Sequence, residues 1–307
     1  MKRKATFAVL ILAACGGNYS NEDVEFIGAL PLRRDLESKL PQQAVGAAGT
    51  RQDALSLGEP STAYRDARAA SDGFNGALFW LLDLVDQIRS LPPSRREPDR
   101  RFWGPFPDND HPDFLSQVVM ERREQGVFTY RIEVKRKDAP ASAPWTPFIL
   151  GSFRSTGGAR KGIGEVHLLG ASAAASGFGA GTDLEKFQSI DMSYVTDRSP
   201  TEVDMSLRVT PDAGVQSVDY AYSEYDDHHG SIRFSATAAD QSGNQLVLAV
   251  TARWLPSGEG RSDITVQAGT FLGTLAVECW DAQFRVTYAD KPWENPQTVG
   301  SPGNCAL

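Results

Sequence analysis

Residues 128–135 read FTYRIEVK, and their pattern is the clearest indication of the fold. Apolar and polar side chains alternate at every step, and this period of two is typical of a strand with one buried and one solvated face. The same alternation recurs over residues 203–210, 246–254 and 284–288. The repeated pattern predicts an antiparallel sheet.

On both sides of this run, turn-forming residues separate further alternating runs at short intervals. The pattern predicts about eleven strands, at 114–123, 127–137, 147–155, 162–170, 189–196, 202–210, 215–225, 231–238, 245–254, 262–270 and 274–288. Nearly all connections are of hairpin length, so a meander is the simplest topology. The exception is the Gly/Ala/Ser-rich stretch 170–181, followed by a short helical turn at 183–187; we expect it to bulge from the sheet or cross its open end.

The residues before the sheet have helical periodicity. We expect helices at 32–40 and 42–57, and a stronger one that Ser61 or Thr62 caps and Pro92-Pro93 ends. Its apolar stripe comprises Phe74, Ala77, Leu78, Leu81, Leu82, Val85 and Ile88. A wide curved sheet must roll up or be covered. We therefore predict an α+β domain over 31–307, with helices (31–92) packed on a large, curved, half-barrel-like antiparallel meander (102–288), and then a tail (289–307).

The N-terminus has the features of an export signal. Three basic residues at 2–4 precede a short apolar run, and Leu12-Ala13-Ala14-Cys15 places small residues before a cysteine. With this lipobox the chain resembles the bacterial lipoproteins. The resemblance implies a signal peptide over 1–14 and lipid on Cys15. It also implies attachment through that lipid to the outer membrane, facing the periplasm or the cell surface, because the residue after Cys15 is Gly16 and not Asp. We expect residues 15–30 to be a tether; a plain N-terminal helix or a signal with an incidental cysteine is the alternative.

Composition limits the partners. The formal charge is −8, and removal of the three basic residues at 2–4 leaves 28 basic and 39 acidic residues, or −11. An acidic surface repels phosphate backbones, so nucleic acid is excluded as a partner.

Besides Cys15 the chain has two cysteines, Cys279 and Cys305. An even pair in an exported chain predicts a disulfide that holds the tail to the last strand, with two free thiols as the alternative.

No pattern for catalysis or metal binding is complete. The sequence Asp226-Asp227-His228-His229 has ligand types for a divalent ion, but it falls where a hairpin turn is needed, so a solvated turn is the better interpretation. Residues 108–113 lack the glycine of a calcium-binding EF-hand loop and predict a polar turn. A Gly-x-Ser-x-Gly elbow and a Gly-x-Gly-x-x-Gly loop are both missing. We therefore expect no metal, no cofactor and no enzymatic activity.

The order of elements suggests two further resemblances. Helices followed by a long meander behind a lipobox resemble the lipoprotein carriers of the LolA and LppX class, in element order and strand number only. The chain also resembles uncharacterised bacterial lipoproteins, through Leu30-Pro31, residues 78–85, Trp103-Gly104-Pro105 and Cys279-Trp280-Asp281. The resemblance to lipoproteins implies a membrane-anchored envelope protein with a structural or interaction role.

The alternative function is that of a carrier for lipid or another hydrophobic ligand. The helix at 74–88 would then be a lid over a cleft between helix and sheet, instead of packing it completely. The residues expected to line the cleft are Phe128, Tyr130, Met205, Leu248 and Trp254. Packed cores and lipid cavities use the same side chains, so both hypotheses stay open at this point.

Overall fold

The computed structural model describes residues 19–42, 56–108, 111–158, 160–180, 186–210 and 216–307. Within these ranges, fifteen strands form one antiparallel sheet in which each strand pairs with its neighbours in the chain, from β1 to β15. They are Arg95–Glu97, Arg100–Pro107, Phe114–Glu124, Val127–Arg136, Thr146–Ser155, Gly162–Leu168, Phe187–Val195, Thr201–Val209, Gln216–Glu224, Gly230–Ala239, Gln245–Trp254, Gly260–Ala268, Leu275–Trp280, Val286–Asp290 and Thr298–Gly300. The sheet is open, with β1 and β15 as its edges.

The predicted antiparallel meander is confirmed, but the strand number of eleven is wrong. The strands β1 and β15 have only three residues each, too few for an alternating pattern. In β2, Gly104-Pro105 interrupts the alternation and shifts the register. The predicted run 274–288 is two strands, because the Asp281 side chain accepts backbone hydrogen bonds from Gln283 and Arg285 (both 2.9 Å) and closes a turn there.

Four α-helices accompany the sheet in the described residues: α1 at Asn21–Gly28, α2 at Arg33–Leu36, α3 at Thr62–Arg89 and α4 at Gly170–Ala175; a 3-10 turn at Pro302–Asn304 follows β15. The predicted long helix is confirmed as α3. Ser61 caps it by accepting a hydrogen bond from the Tyr64 amide, and its 28 residues span about 42 Å. The helix predicted at 42–57 falls almost entirely outside the described residues, and the one predicted at 32–40 has only the single turn of α2.

The N-terminal helix α1 corrects the predicted tether. Ser20 and Asp23 form a reciprocal capping box at its start. Phe26 is fully buried and meets the ring of Phe128 edge-on at 5.2 Å, and Leu30 is also buried. The tether predicted over 15–30 is therefore wrong for residues 21–30, which belong to the folded domain. Cys15 and the predicted signal peptide lie outside the described residues.

The core lies between α3 and the inner face of the sheet. On the stripe of α3, Phe74, Leu78, Leu82 and Val85 are fully buried. The helix packs across β10 to β13. The Leu91 carbonyl, just after its end, accepts a hydrogen bond from the Trp103 indole on β2. Within the described residues, we find no helix with the length and apolar character needed to cross a membrane.

The insertion after β6 covers part of the sheet. Phe178, in the turn that follows α4, is buried against Phe114 of β3 and Phe148 of β5, at ring distances of 5.3 and 5.1 Å. This placement agrees with the expected crossing of the open end. The helical turn expected at 183–187 falls mostly outside the described residues.

Candidate functional site

The five residues predicted to line a cavity all lie on the inner face of the sheet. Their side chains, on β4, β8 and β11, are between 2 and 5 % exposed and belong to the same apolar cluster as α3; they are Phe128, Tyr130, Met205, Leu248 and Trp254. Trp254 stacks on Tyr222, with ring centres 6.3 Å apart. Such burial is shared by a packed core and by a cavity wall, so the lining role stays a prediction.

Two of these five side chains have a packing role that the sequence analysis missed. The ring of Tyr130 lies over Gly151, its direct cross-strand partner, and the indole of Trp254 lies over Gly230. Tyr194 over Gly164 and Trp280 over Gly260 repeat the arrangement. A flat aromatic side chain can cross the neighbouring strand only where that strand has no Cβ. Part of the signal was available, because Gly151 and Gly164 fall inside predicted strands, whereas Gly230 and Gly260 fall outside them.

The Tyr130 and Tyr194 hydroxyls are buried without a hydrogen-bond partner among the described residues. Burial raises the pKa of both phenols, although the nearby Arg89 guanidinium acts in the opposite direction. An unpaired buried hydroxyl costs free energy. Both groups therefore lower the stability of the fold, and neither carries a charge at neutral pH.

The turn at 225–229 carries the densest group of potential metal ligands, and the structure pairs them with one another. The Glu224 carboxylate is nearly buried; it accepts hydrogen bonds from Lys39 Nζ and Tyr222 Oη (both 3.0 Å) and lies 2.9 Å from His228 Nδ1. Although burial raises the pKa of Glu224, the contacts with His228 and Lys39 hold it below its ordinary value. His229 pairs with the neighbouring Asp227 instead. The histidine nitrogens that face Glu224 and Asp227 are thus already engaged.

The second sequence candidate for cation binding, at 108–113, is described in part. Asp108 accepts a hydrogen bond from the His111 amide (2.9 Å), and the His111 ring rests on Phe178 at 4.3 Å. Asn109 and Asp110 lie outside the described residues. Among the residues that are described, no group of three or more His, Cys, Asp or Glu side chains could hold a metal ion.

A buried ion pair at the start of α3 is the second feature that the sequence analysis missed. The fully buried Glu278 of β13 accepts hydrogen bonds from the Ala63 amide (3.0 Å) and the Thr62 hydroxyl (2.8 Å), and it pairs with Lys291. Burial raises the pKa of Glu278, but Lys291, the Ser61 hydroxyl and the Ala63 amide together hold it below its ordinary value. A carboxylate at a helix N-terminus also complements the helix dipole. This cluster fixes α3 to the sheet.

The outer face of the sheet holds a polar recess of about 540 Å³ across β6 to β12. Small residues on this face, Ser193, Ser206, Ala221, Ser235 and Ala249, lie among charged ones, Glu165, His167, Asp191, Asp204, Asp219 and Arg233. His167 pairs with Asp191 at 2.7 Å. The recess is therefore acidic and open to solvent.

The two cysteines of the folded body form a disulfide. Cys279 on β13 is fully buried and bonded to Cys305, with a Cα–Cα distance of 5.5 Å. The predicted pairing is confirmed, and it closes a loop of 26 residues that contains β14 and β15.

Comparison with known proteins identifies no similar protein. No protein-family model, no curated protein and no solved structure matches the chain.

Proposed function

We propose that this chain is an exported lipoprotein, anchored to the cell envelope through lipid on Cys15, with a structural or interaction role and no catalytic activity. The observation that carries the proposal is the disulfide between Cys279 and Cys305. Disulfides persist in oxidising compartments outside the cytoplasm. Together with the lipobox at residues 12–15, the disulfide supports export followed by acylation.

The polar clusters support a role without chemistry. Glu224 and Glu278 are buried groups that could act as acid or base, and each is held by several partners that lower its pKa. A general base works best with a pKa near the ambient pH and with access to substrate. Glu224 instead bonds the segment at Lys39 to the sheet, and Glu278 bonds the start of α3 to the sheet.

The anchor is tested with a single substitution. In cells fed a radiolabelled or alkyne-tagged fatty acid, we expect the wild-type chain to incorporate the label and to fractionate with membranes. Cys15→Ser should lose the label and move to the soluble fraction. Cys279→Ser is the matched control, because it removes a different thiol and should keep both the label and the membrane fraction. Membrane retention of Cys15→Ser at the wild-type level would contradict the proposal.

The role of the interior is tested on the soluble Cys15→Ser protein, so that covalent lipid does not contribute. We expect a solvent extract of this protein, analysed by mass spectrometry, to contain lipid far below one molecule per chain, since the inner face packs against α3. Stoichiometric lipid would instead support the carrier hypothesis and the predicted lining by Phe128 and Met205.

A further inference from the structure

The link between Cys15 and the folded domain is short. Ser20 caps α1, and the Tyr19 hydroxyl donates a hydrogen bond (3.3 Å) to the Arg89 carbonyl at the end of α3. Only residues 16–18 separate Cys15 from Tyr19. Four residue steps span at most about 14 Å in a fully extended chain. A lipid on Cys15 would therefore hold the surface around Tyr19 within about that distance of the bilayer.

The helix α1 cannot swing out to lengthen this link without breaking buried contacts. Asp23 is fully buried and accepts hydrogen bonds from Arg101 Nε (2.7 Å) and Arg96 Nε (3.0 Å). Arg101, itself 2 % exposed, also pairs with Glu22 at 2.6 Å. Breaking a buried charge pair is strongly unfavourable. We conclude that α1 stays on the sheet when the chain is anchored.

These contacts place α1 at one end of the sheet, near three of the turns on that side. It meets the β1–β2 hairpin through Arg96 and Arg101, and the β3–β4 hairpin through Arg122, which pairs with Glu25 at 3.2 Å. It meets the β5–β6 turn through the Arg160 amide, which donates to the Gly28 carbonyl at 3.0 Å. In a meander, the turn between β12 and β13 lies at the opposite end, one strand length or about 33 Å away.

We name the described residues 19–28, 95–101, 121–127, 154–158 and 160–162 the α1 end. It differs in charge from the rest of the molecule. Its charged residues are nine basic ones, Arg95, Arg96, Arg100, Arg101, Arg122, Arg123, Arg154, Arg160 and Lys161, and seven acidic ones, Glu22, Asp23, Glu25, Glu97, Asp99, Glu121 and Glu124. Its net charge is +2, against −8 for the whole chain.

The outward side of α1 also exposes an apolar side chain, since 60 % of Val24 is accessible to solvent. Arginines around a small apolar contact suit the headgroup region of an anionic bilayer, whose surface attracts basic residues within a Debye length.

We propose that the α1 end lies against the surface of the anionic bilayer that holds the Cys15 lipid, and that the β12–β13 end points away from it. This inference rests on the lipid anchor proposed above. The domain then has a fixed orientation, in which the membrane contacts Val24 and the exposed arginines of the α1 end, such as Arg123 and Arg154.

The orientation is tested with two labelled variants of the full acylated protein. In the wild type Cys279 and Cys305 are bonded, so Val24→Cys and Leu272→Cys each add one reactive thiol; Leu272, in the β12–β13 turn, is 69 % exposed. Each carries an environment-sensitive fluorophore and is reconstituted in phosphatidylethanolamine–phosphatidylglycerol vesicles that contain a lipid-borne quencher. We expect the label at position 24 to be quenched at least three-fold more strongly than the label at 272.

A charge-reversal variant supplies the second measurement. Arg123→Glu with Arg154→Glu removes two exposed arginines of the α1 end and should at least halve the quenching at position 24. Arg233→Glu, on the outer face of β10, is the control and should leave it unchanged. Equal quenching at both labels in acylated protein would overturn the orientation while leaving the anchor intact. Absence of acyl mass on Cys15 would overturn both.

Discussion

The ring of Tyr194 lies directly over Gly164 on the neighbouring strand. The two residues are cross-strand partners in β7 and β6, and a Cβ built on Gly164 would stand 2.8 Å from the nearest Cε of the ring and closer still to its hydroxyl end. Phe153 on β5 stacks on the same ring, with centres 6.4 Å apart. The aromatic side chain thus fills the space that a side chain at 164 would need, and this helps the inner face close around α3.

Adding a methyl group at this glycine should therefore destabilise the protein. We expect Gly164→Ala to lower the free energy of unfolding by about 2–3 kcal/mol, the upper part of the range for an overpacked core. Gly157→Ala is the matched control, because nothing lies within 4 Å of a Cβ built there. Urea denaturation at neutral pH measures both. A Gly164→Ala protein as stable as the control would show that the ring does not occupy this place.

The unpaired hydroxyls of Tyr130 and Tyr194 lead to a prediction of opposite sign. Removing a buried donor without a partner also removes its desolvation cost. We expect Tyr194→Phe to keep or raise the free energy of unfolding by about 1 kcal/mol. Tyr222→Phe should instead lower it by about 2 kcal/mol, since its hydroxyl donates to the Glu224 carboxylate at 3.0 Å and accepts from the Lys39 amide at 3.1 Å. Equal losses in both variants would contradict this assignment.

The Glu278–Lys291 pair should be important for the attachment of α3. Glu278→Gln leaves the lysine buried without its counter-charge, and we expect a loss of about 3–5 kcal/mol in the free energy of unfolding. Replacing both residues by Glu278→Leu and Lys291→Met should recover much of this loss, because the isolated charge is gone. Glu124→Gln, which breaks the exposed pair with Arg154, is the control and should cost less than about 1 kcal/mol. A double variant as unstable as Glu278→Gln would argue against an ion-pair effect.

How far the sequence predicts this fold depends on the range of each interaction. The alternation at 128–135 and the stripe from Phe74 to Ile88 are local patterns, so β4 and α3 follow from them directly. The edge strands β1 and β15 could not be predicted in this way, because three-residue strands depend on their neighbour for their backbone hydrogen bonds. The helix α1 was missed for a similar reason, since its stability comes from Asp23 and Phe26 contacting residues about 75–100 positions later in the chain.

The candidate sites divide in the same way. The disulfide between Cys279 and Cys305 followed from counting cysteines, and the inner-face location of Met205 and Leu248 followed from strand parity. The Glu278 cluster and the outer recess depend on which strands lie side by side and in what register. Only the complete meander provides that information.

The disulfide should contribute measurably to stability. A closed loop of 26 residues is expected to add about 3 kcal/mol, mainly by restricting the unfolded chain. We expect Cys305→Ser, in the soluble Cys15→Ser background, to lower the free energy of unfolding by this amount while the far-UV circular dichroism stays close to that of the parent. Ser301→Ala, four residues earlier in the tail, is the control and should have little effect. If the Cys305→Ser protein were as stable as its Cys15→Ser parent, the disulfide would add no constraint on the unfolded chain.

Stability should fall in acid because of Asp23. Hydrogen bonds from Ser20, Arg101 and Arg96 outweigh the effect of burial and lower the pKa of Asp23 from 3.8 to about 2. A carboxyl whose pKa is lower in the folded chain than in the unfolded chain stabilises the fold at pH values above its ordinary pKa. This contribution is lost as the pH falls towards 2, because the folded chain then binds the proton as the unfolded chain already does. Urea midpoints measured between pH 5 and pH 2 should therefore decrease for the wild type. Asp23→Asn should be less stable at pH 5 but decrease less steeply below pH 4, since it has no proton to bind at this position. Parallel curves for the two proteins would mean that Asp23 does not titrate with a lowered pKa.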